Sequence, residues 1–316
     1  MEGTMEGKPL TKAELVGDLK KLGVQPGDIL NVKCSMRSLG KVEGGAATLI
    51  DALLEAVGAD GTIVTDSFIK VYKPSVAEKM PPVDEKSASY CGVLANEMLK
   101  HPKVVRSGHP VQKFAAIGKY AEEFCKNHTD GSYAYDILRI MALKGGKNLK
   151  IGSDEQIPGV GTTHVAIGML RLKNRRPYLG VCYMKNGQKN FFMRNWAGIC
   201  SRSFNKFLPY YEKNGDIIAR GKVGNADSML TSMRGTLKTE YDILKKDPAF
   251  LDCGDPFCIE CRLNWEFSRG TKIGFILKAL LHGKFSKAIF VARMFYKKYA
   301  ELPDENSALP PDDFAE

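Results

Sequence analysis

Ile29-Leu30-Asn31-Val32-Lys33-Cys34, then Gly44-Gly45 and the run Ala46–Val57, then Gly61-Thr62-Ile63-Val64, form the stretch whose reading decides the fold. The first and last pieces are short, rich in β-branched and apolar residues and bounded by turn residues, which predicts strands. Between them Leu49, Ile50, Leu53 and Leu54 recur at helical spacing behind the glycine pair. Two strands flanking a twelve-residue helix make a βαβ unit, and that predicts α/β layering with a largely parallel central part.

Reading outward extends the pattern. Thr11-Lys12-Ala13-Glu14 has the spacing of a capping box, and Leu15, Leu19 and Leu22 follow at helical intervals until Gly23. Further helices are predicted near 92–99, 121–126, 135–143, 203–212 and 229–245, and strands near 114–117, 149–152 and 179–184. Asn186-Gly187, between apolar runs at 178–184 and 190–193, is a hairpin signal that makes the sheet mixed. The expectation is a three-layer α/β/α domain over 1–265, a basic helical segment over 266–300 and an acidic, flexible tail over 301–316.

The chain of 316 residues is 44% hydrophobic and 26% charged, enough to bury a large core. No uncharged apolar run approaches the ~20 residues of a bilayer span, and the start, Met1-Glu2-Gly3-Thr4, lacks the basic and apolar regions of a signal peptide. A cytoplasmic location is expected, with the eight scattered or clustered cysteines as thiols. The formal charge is +10; residues 267–300 hold eight Lys or Arg without an acid and 301–316 hold six acids without a base, which leaves +8 over 1–266. Such a surplus suits polyanions, coenzyme A and nucleic acid among them.

Three segments carry chemistry. The first is Cys34-Ser35-Met36-Arg37-Ser38-Leu39-Gly40 after the first strand, where small polar residues let a thin ligand approach the backbone. The second is Arg106-Ser107-Gly108-His109-Pro110, followed by Phe114-Ala115-Ala116-Ile117. Arg106 offers a guanidinium matched to phosphate, while His109, held extended before proline, serves either the loop or a ligand. The third is Asp154 to Ile167, with Gly161-Thr162-Thr163-His164-Val165-Ala166-Ile167 opening a helix after the strand that ends at Ile151-Gly152.

Together with Gly221-Lys222-Val223-Gly224-Asn225-Ala226, these segments resemble the aminoglycoside 3-N-acetyltransferase family over about residues 15–250. The resemblance implies acetyl-CoA as donor substrate and an amine as acceptor. It implies that His164 is the base, and the chemistry agrees, since an acceptor ammonium must lose a proton before it attacks and a histidine titrates near about 6.5. Asp154 or Glu155 is expected to orient the imidazole. Coenzyme contacts are expected at Ser35, Arg37, Ser38, Arg106, Ser107, His109 and Thr163, with backbone N–H groups holding the oxyanion. Cys34 offers a second route through an acyl-enzyme. The family's glutamate after His-x-Ala is here Ile167, and its acidic stretch before residues 200–204 is here Met193-Arg194-Asn195-Trp196-Ala197-Gly198. These departures, together with the basic helical segment, point to an amino sugar that is anionic or lipid-linked. The rival reading is a family member without catalysis that binds coenzyme or joins a membrane assembly.

Two features fall outside the resemblance. Cys253, Cys258 and Cys261 have C-x4-C-x2-C spacing, which suits metal ligation if Cys200 or His282 supplies a fourth ligand, and otherwise reads as packed thiols; no firm metal is expected. From 272 to 299 apolar residues recur at helical spacing between lysines and arginines. That pattern fits either peripheral membrane contact or packing on the body with the acidic tail neutralising its charge. Its aromatics lie on the apolar face, so nucleic acid is not expected as a partner.

Overall fold

The computed structural model describes residues 8–172, 179–194 and 200–292. The stretch at 195–198, the part of the basic segment beyond 292 and the acidic tail therefore lie outside the described residues.

The chain runs through α1 (Lys12–Lys21), β1 (Ile29–Cys34), α2 (Met36–Leu39), α3 (Ala46–Val57), β2 (Thr62–Asp66), α4 (Pro74–Ala77) and α5 (Val93–Met98). Next come β3 (Val105–Arg106), β4 (Phe114–Gly118), α6 (Ala121–Lys126), α7 (Asp136–Leu143), β5 (Lys147–Ile151) and α8 (Thr162–Met169). The hairpin β6 (Leu179–Lys185) and β7 (Gln188–Arg194) precedes a 3-10 turn (Ser201–Phe207), α9 (Leu208–Asn214), β8 (Ile217–Val223), β9 (Ala226–Ser232) and α10 (Met233–Lys246). Two helices, α11 (Lys272–Leu281) and α12 (Phe285–Ala292), end the described chain.

Seven strands form the central sheet in the order β3-β4-β2-β1-β5-β9-β8. Only β2-β1-β5 are parallel, with Leu30 against Ile63 and Lys147; β3, β4, β9 and β8 join antiparallel. The sheet is mixed as expected, but for a different reason, and it is less parallel than the opening βαβ unit suggests. The hairpin that signalled mixing lies outside it as a separate two-stranded sheet. Its turn takes Asn186 and Gly187 to φ 53° and 76°, the conformation that favours Asn-Gly. It docks on the loop after β2, where Val181 packs with Ile69 and Val111.

Helices cover both faces. Leu15, Leu19, Leu49, Leu53 and Leu94 of α1, α3 and α5 build one core against Leu30, Val32 and Ile63. Ile137, Leu138, Val165, Ile167, Leu237 and Leu244 of α7, α8 and α10 build the other. The strand β1 is buried along its first four residues, which is why it reads as a continuous apolar run. The polar residue among those four, Asn31, donates from Nδ2 to Oδ1 of its register partner Asn148 at 3.1 Å, and Asn148 Nδ2 donates to Thr231 Oγ1 at 3.3 Å. A polar ladder thus crosses three strands under the start of α8.

Two helix expectations need correction. Residues 229–232 are not helical: Met229 and Leu230 finish β9, and the helix begins behind the Ser232 cap, whose hydroxyl accepts from Gly235 N. Residues 203–207 form a 3-10 turn, with α9 starting only at Leu208. The described part of the basic segment holds two helices broken at Gly283 (φ 66°). Phe275, Ala279, Ala288 and Val291 pack with Leu263, Phe257 and Ile259 in a satellite core. The opposite face leaves Leu281 84%, Ile273 73% and Phe285 60% exposed. Trp265, just before it, is buried in the main core. Among the described residues no helix is long and apolar enough to cross a membrane.

Candidate active site

The parallel strands β1, β2 and β5 end on one edge, and in open α/β sheets the crevice beyond such carboxyl ends is where ligands bind. Here it receives the turn after β1, the loop after β2 and the loop 152–161 that leads into α8.

Ser35 caps α2, with its Oγ 2.8 Å from Ser38 Oγ. Ser38 Oγ donates to Gln156 Oε1 at 2.5 Å, so the turn is tied to the loop after β5. Gly152 makes the approach possible: it sits at φ 144°, and a Cβ there would meet Ile157 at 3.0 Å and Ser35 at 3.2 Å. Arg37 is exposed beside them. An open groove of about 550 Å³ adjoins this junction, lined by Gly152, Ser153, Lys150, Arg220 and Lys222 among others.

His164 is the third residue of α8 and is partly buried. Its ring stacks on Tyr135, centroids 4.3 Å apart and planes at 10°, and meets the edge of Phe204 at 5.2 Å and 75°. Tyr133 donates its hydroxyl to the His164 carbonyl at 2.6 Å. Tyr135 is in turn braced by Phe68 and Phe114. The imidazole is therefore fixed in orientation by two aromatic walls, a condition for a base that must meet a bound acceptor.

Asp154 does not serve as the expected orienting group in this geometry. Its carboxylate is engaged by Lys150 and lies 3.8 Å from Arg220. What Asp154 does hold is the wall: its carbonyl accepts from Asn205 Nδ2 at 2.7 Å, and Asn205 Oδ1 accepts from Gly159 N at 2.8 Å, which seats the 3-10 turn carrying Phe204.

The second segment is built into the interior. Arg106 donates to the carbonyls of Glu85, Ser87 and Ser67, and burial pulls its guanidinium down to about 10. A guanidinium committed to three carbonyls fits loop holding better than phosphate contact. Ser107 and His109 are fully buried. His109 Nδ1 accepts from Val111 N and Gln112 N, and its ring stacks on His128 at 5.0 Å. His128 Nε2 faces the Tyr133 carbonyl, which can only accept, so this nitrogen carries the proton and Nδ1 accepts from Ser107 Oγ. Ser107 Oγ also accepts from Phe114 N. Burial pushes His128 down to about 4, so its ring is neutral near pH 7.

Thr163 also faces inward. Its Oγ1 lies 2.5 Å from Oε1 of Glu240 on α10, which Tyr211 also reaches. Burial pushes the Glu240 carboxyl up to about 8. Ile167 is fully buried in the core beneath α8.

Sequence reasoning missed Glu240, Tyr135, Phe204 and Gln156 as site groups. Glu240 had a signal: it stands on the helical face of Met233, Leu237 and Leu244, where a carboxyl is out of place unless it has work inside. For the aromatic rings no local signal exists, because their contact depends on three segments meeting.

The topology defines a mixed α/β scaffold whose parallel strands end on one open edge, and the comparisons with known proteins give the family. The pattern of the aminoglycoside 3-N-acetyltransferases matches residues 32–245. Aminoglycoside N(3)-acetyltransferase IV of a Salmonella species is 39% identical over 251 residues, covering 75% of this chain and 88% of its own length. Aminoglycoside N(3)-acetyltransferase VIII of Streptomyces fradiae is 35% identical over 164 residues, 46% of this chain; the match spans 57% of that relative's length, less than two thirds. The solved structure of AAC-VIa bound to sisomicin superposes with a TM-score of 0.66 at 26% identity, covering 76% of this chain and 98% of that one. The chain belongs to the aminoglycoside 3-N-acetyltransferase family.

Proposed function

We propose that the protein is an acetyl-CoA-dependent N-acetyltransferase with His164 as general base and an amino-sugar amine as acceptor. The observation that carries this reading is the His164 imidazole held between Tyr135 and Phe204 at the start of α8, inside the family's motif. His164 takes a proton from the acceptor ammonium. The freed amine attacks the thioester carbon, the C–N bond forms as the C–S bond breaks, and the coenzyme thiolate leaves and takes up the remaining proton that the acylated nitrogen sheds.

The donor is read as lying along the Ser35–Ser38 turn with its phosphates toward Arg37 and the neighbouring groove. Membership supports aminoglycosides as the first acceptors to try, since the relatives are named for them. Because the family's acidic stretch is here Met193-Arg194-Asn195-Trp196-Ala197-Gly198, amino sugars of lower positive charge are the second. Burial pushes the Cys34 thiol up to about 12, which favours direct attack over an acyl-enzyme.

The test is thiol release from acetyl-CoA across aminoglycosides, free amino sugars and nucleotide-linked amino sugars. Turnover with any of them supports the reading and ranks the acceptor class. Coenzyme binding with no turnover on the whole panel would favour a family member without catalysis. The exposed apolar face of α11 and α12 supports a second role, peripheral contact with a lipid surface.

A further inference from the structure

Cys200, at the head of the 3-10 turn that walls His164, meets three cysteines of the C-terminal segment. Cys200, Cys253, Cys258 and Cys261 place their sulfurs within 4.8 Å of one another. All eight cysteines of the chain are free thiols. Three of the four lie past residue 245, where the family pattern ends, and the fourth lies inside it. We propose that these four cysteines form a tetrathiolate site for one zinc ion, which clasps the 3-10 turn to the C-terminal segment.

The geometry argues for a single tetrahedral ion. Four thiolates about 2.3 Å from a zinc ion are roughly 3.8 Å apart. The observed spread needs only a small contraction to reach that. An iron–sulfur cluster, with several iron and sulfide atoms between its cysteines, requires a wider set. His282, the other fourth ligand suggested by the sequence, is elsewhere: its Nδ1 is 2.9 Å from the Lys278 carbonyl and its ring packs on Phe257.

The surroundings are built for the purpose without help from an ion. Asp255, between the first two cysteines of the C-terminal set, accepts from Phe257 N at 2.8 Å and from Arg202 at 3.1 Å, two residues past Cys200. Lys206 Nζ donates to the carbonyls of Phe250 and Asp252. The two ligand-bearing segments are thus already laid together, and Cys253 N points at Cys261 Sγ at 3.4 Å. A π-helical turn, Glu260–Asn264, opens beside the Cys258-x-x-Cys261 pair, and such turns concentrate at functional positions.

Binding would release the protons of the four thiols and leave two net negative charges, with Arg202 and Arg262 flanking the cluster. The same 3-10 turn carries Phe204 against His164 and Asn205 against Asp154 and Gly159. The ion would therefore brace the wall of the candidate site and take no part in the chemistry.

The test is metal content of the full chain, purified under reducing conditions from zinc-supplemented medium. About one zinc per chain is expected in the wild type and in Cys182→Ser, which alters a buried thiol outside the cluster. Replacement by Co2+ should give thiolate-to-cobalt charge-transfer bands and the intense d–d bands of a tetrahedral tetrathiolate. Cys200→Ser should weaken Co2+ binding by at least about tenfold, the lower end of what even outer-shell losses cause, with a spectrum of fewer thiolates. No zinc and no cobalt spectrum in the wild type would overturn the proposal, as would a disulfide within the set or a Cys200→Ser protein that binds cobalt unchanged. The wild-type cobalt spectrum decides the matter even where a variant does not fold.

Discussion

The hydroxyl of Thr163 lies 2.5 Å from the carboxyl of Glu240, one residue before the histidine of the site. Burial raises that carboxyl from 4.5 to about 8. The folded protein therefore keeps a proton that the unfolded chain gives up above its lower pKa. Stability from this group is complete below about pH 4.5 and is lost as pH rises toward about 8, a decline of about 3 kcal/mol by neutrality. Glu240→Gln, which matches the protonated shape and has nothing to release, should melt higher than the wild type by a margin that widens from pH 5 to pH 8. Thermal melts of both proteins across that range check it, and taking the difference cancels His128, which titrates in both.

Gly159 should tolerate no side chain. It sits at φ 59°, and a Cβ would come within 2.3 Å of Phe204 Cβ. Gly159→Ala must displace the ring that edges His164. Turnover should fall at least tenfold while the chain stays folded, with a stability loss of about 1–3 kcal/mol from backbone strain and displaced packing. Initial rates and a melt on the same preparation separate the two effects.

Cys34→Ser should keep at least a third of wild-type turnover, because a thiol pushed up to about 12 is not a nucleophile at neutral pH. The wild type should give intersecting, not parallel, initial-rate lines when acetyl-CoA and acceptor are varied together.

The outer face of α11 and α12 carries Ile273, Leu277, Leu281, Phe285 and Ile289 in the open, between lysines. Full-length protein should sediment with vesicles containing anionic lipid, and Leu281→Asp with Phe285→Asp should abolish it. Equal sedimentation of both proteins would contradict a lipid-facing role.

The sequence made the opening βαβ unit legible, because Leu30, Ile63 and the Leu49–Leu53 face are buried as their periodicity requires. It also showed the turn after β1 as a cluster of small polar residues, and Ser35 and Ser38 do meet there. It misled at 229–232, where an apolar run before a strong helix looks like more helix until strand pairing with β5 claims it. Arg106 and His109 have the residue types of a ligand site, yet local sequence cannot show that Ser67, Ser87 and His128 fold over them. The fourth partner of the C-terminal cysteines was open for the same reason: Cys200 and His282 are both distant along the chain, and only the packed 3-10 turn decides between them.

The most direct measurement is thiol release from acetyl-CoA by wild type and His164→Ala at saturating acceptor, with coenzyme affinity and melting temperature measured alongside. Removing a general base is expected to lower kcat by about 10²–10⁴, with folding and coenzyme affinity intact. A His164→Ala enzyme that turns over at the wild-type rate would contradict the account.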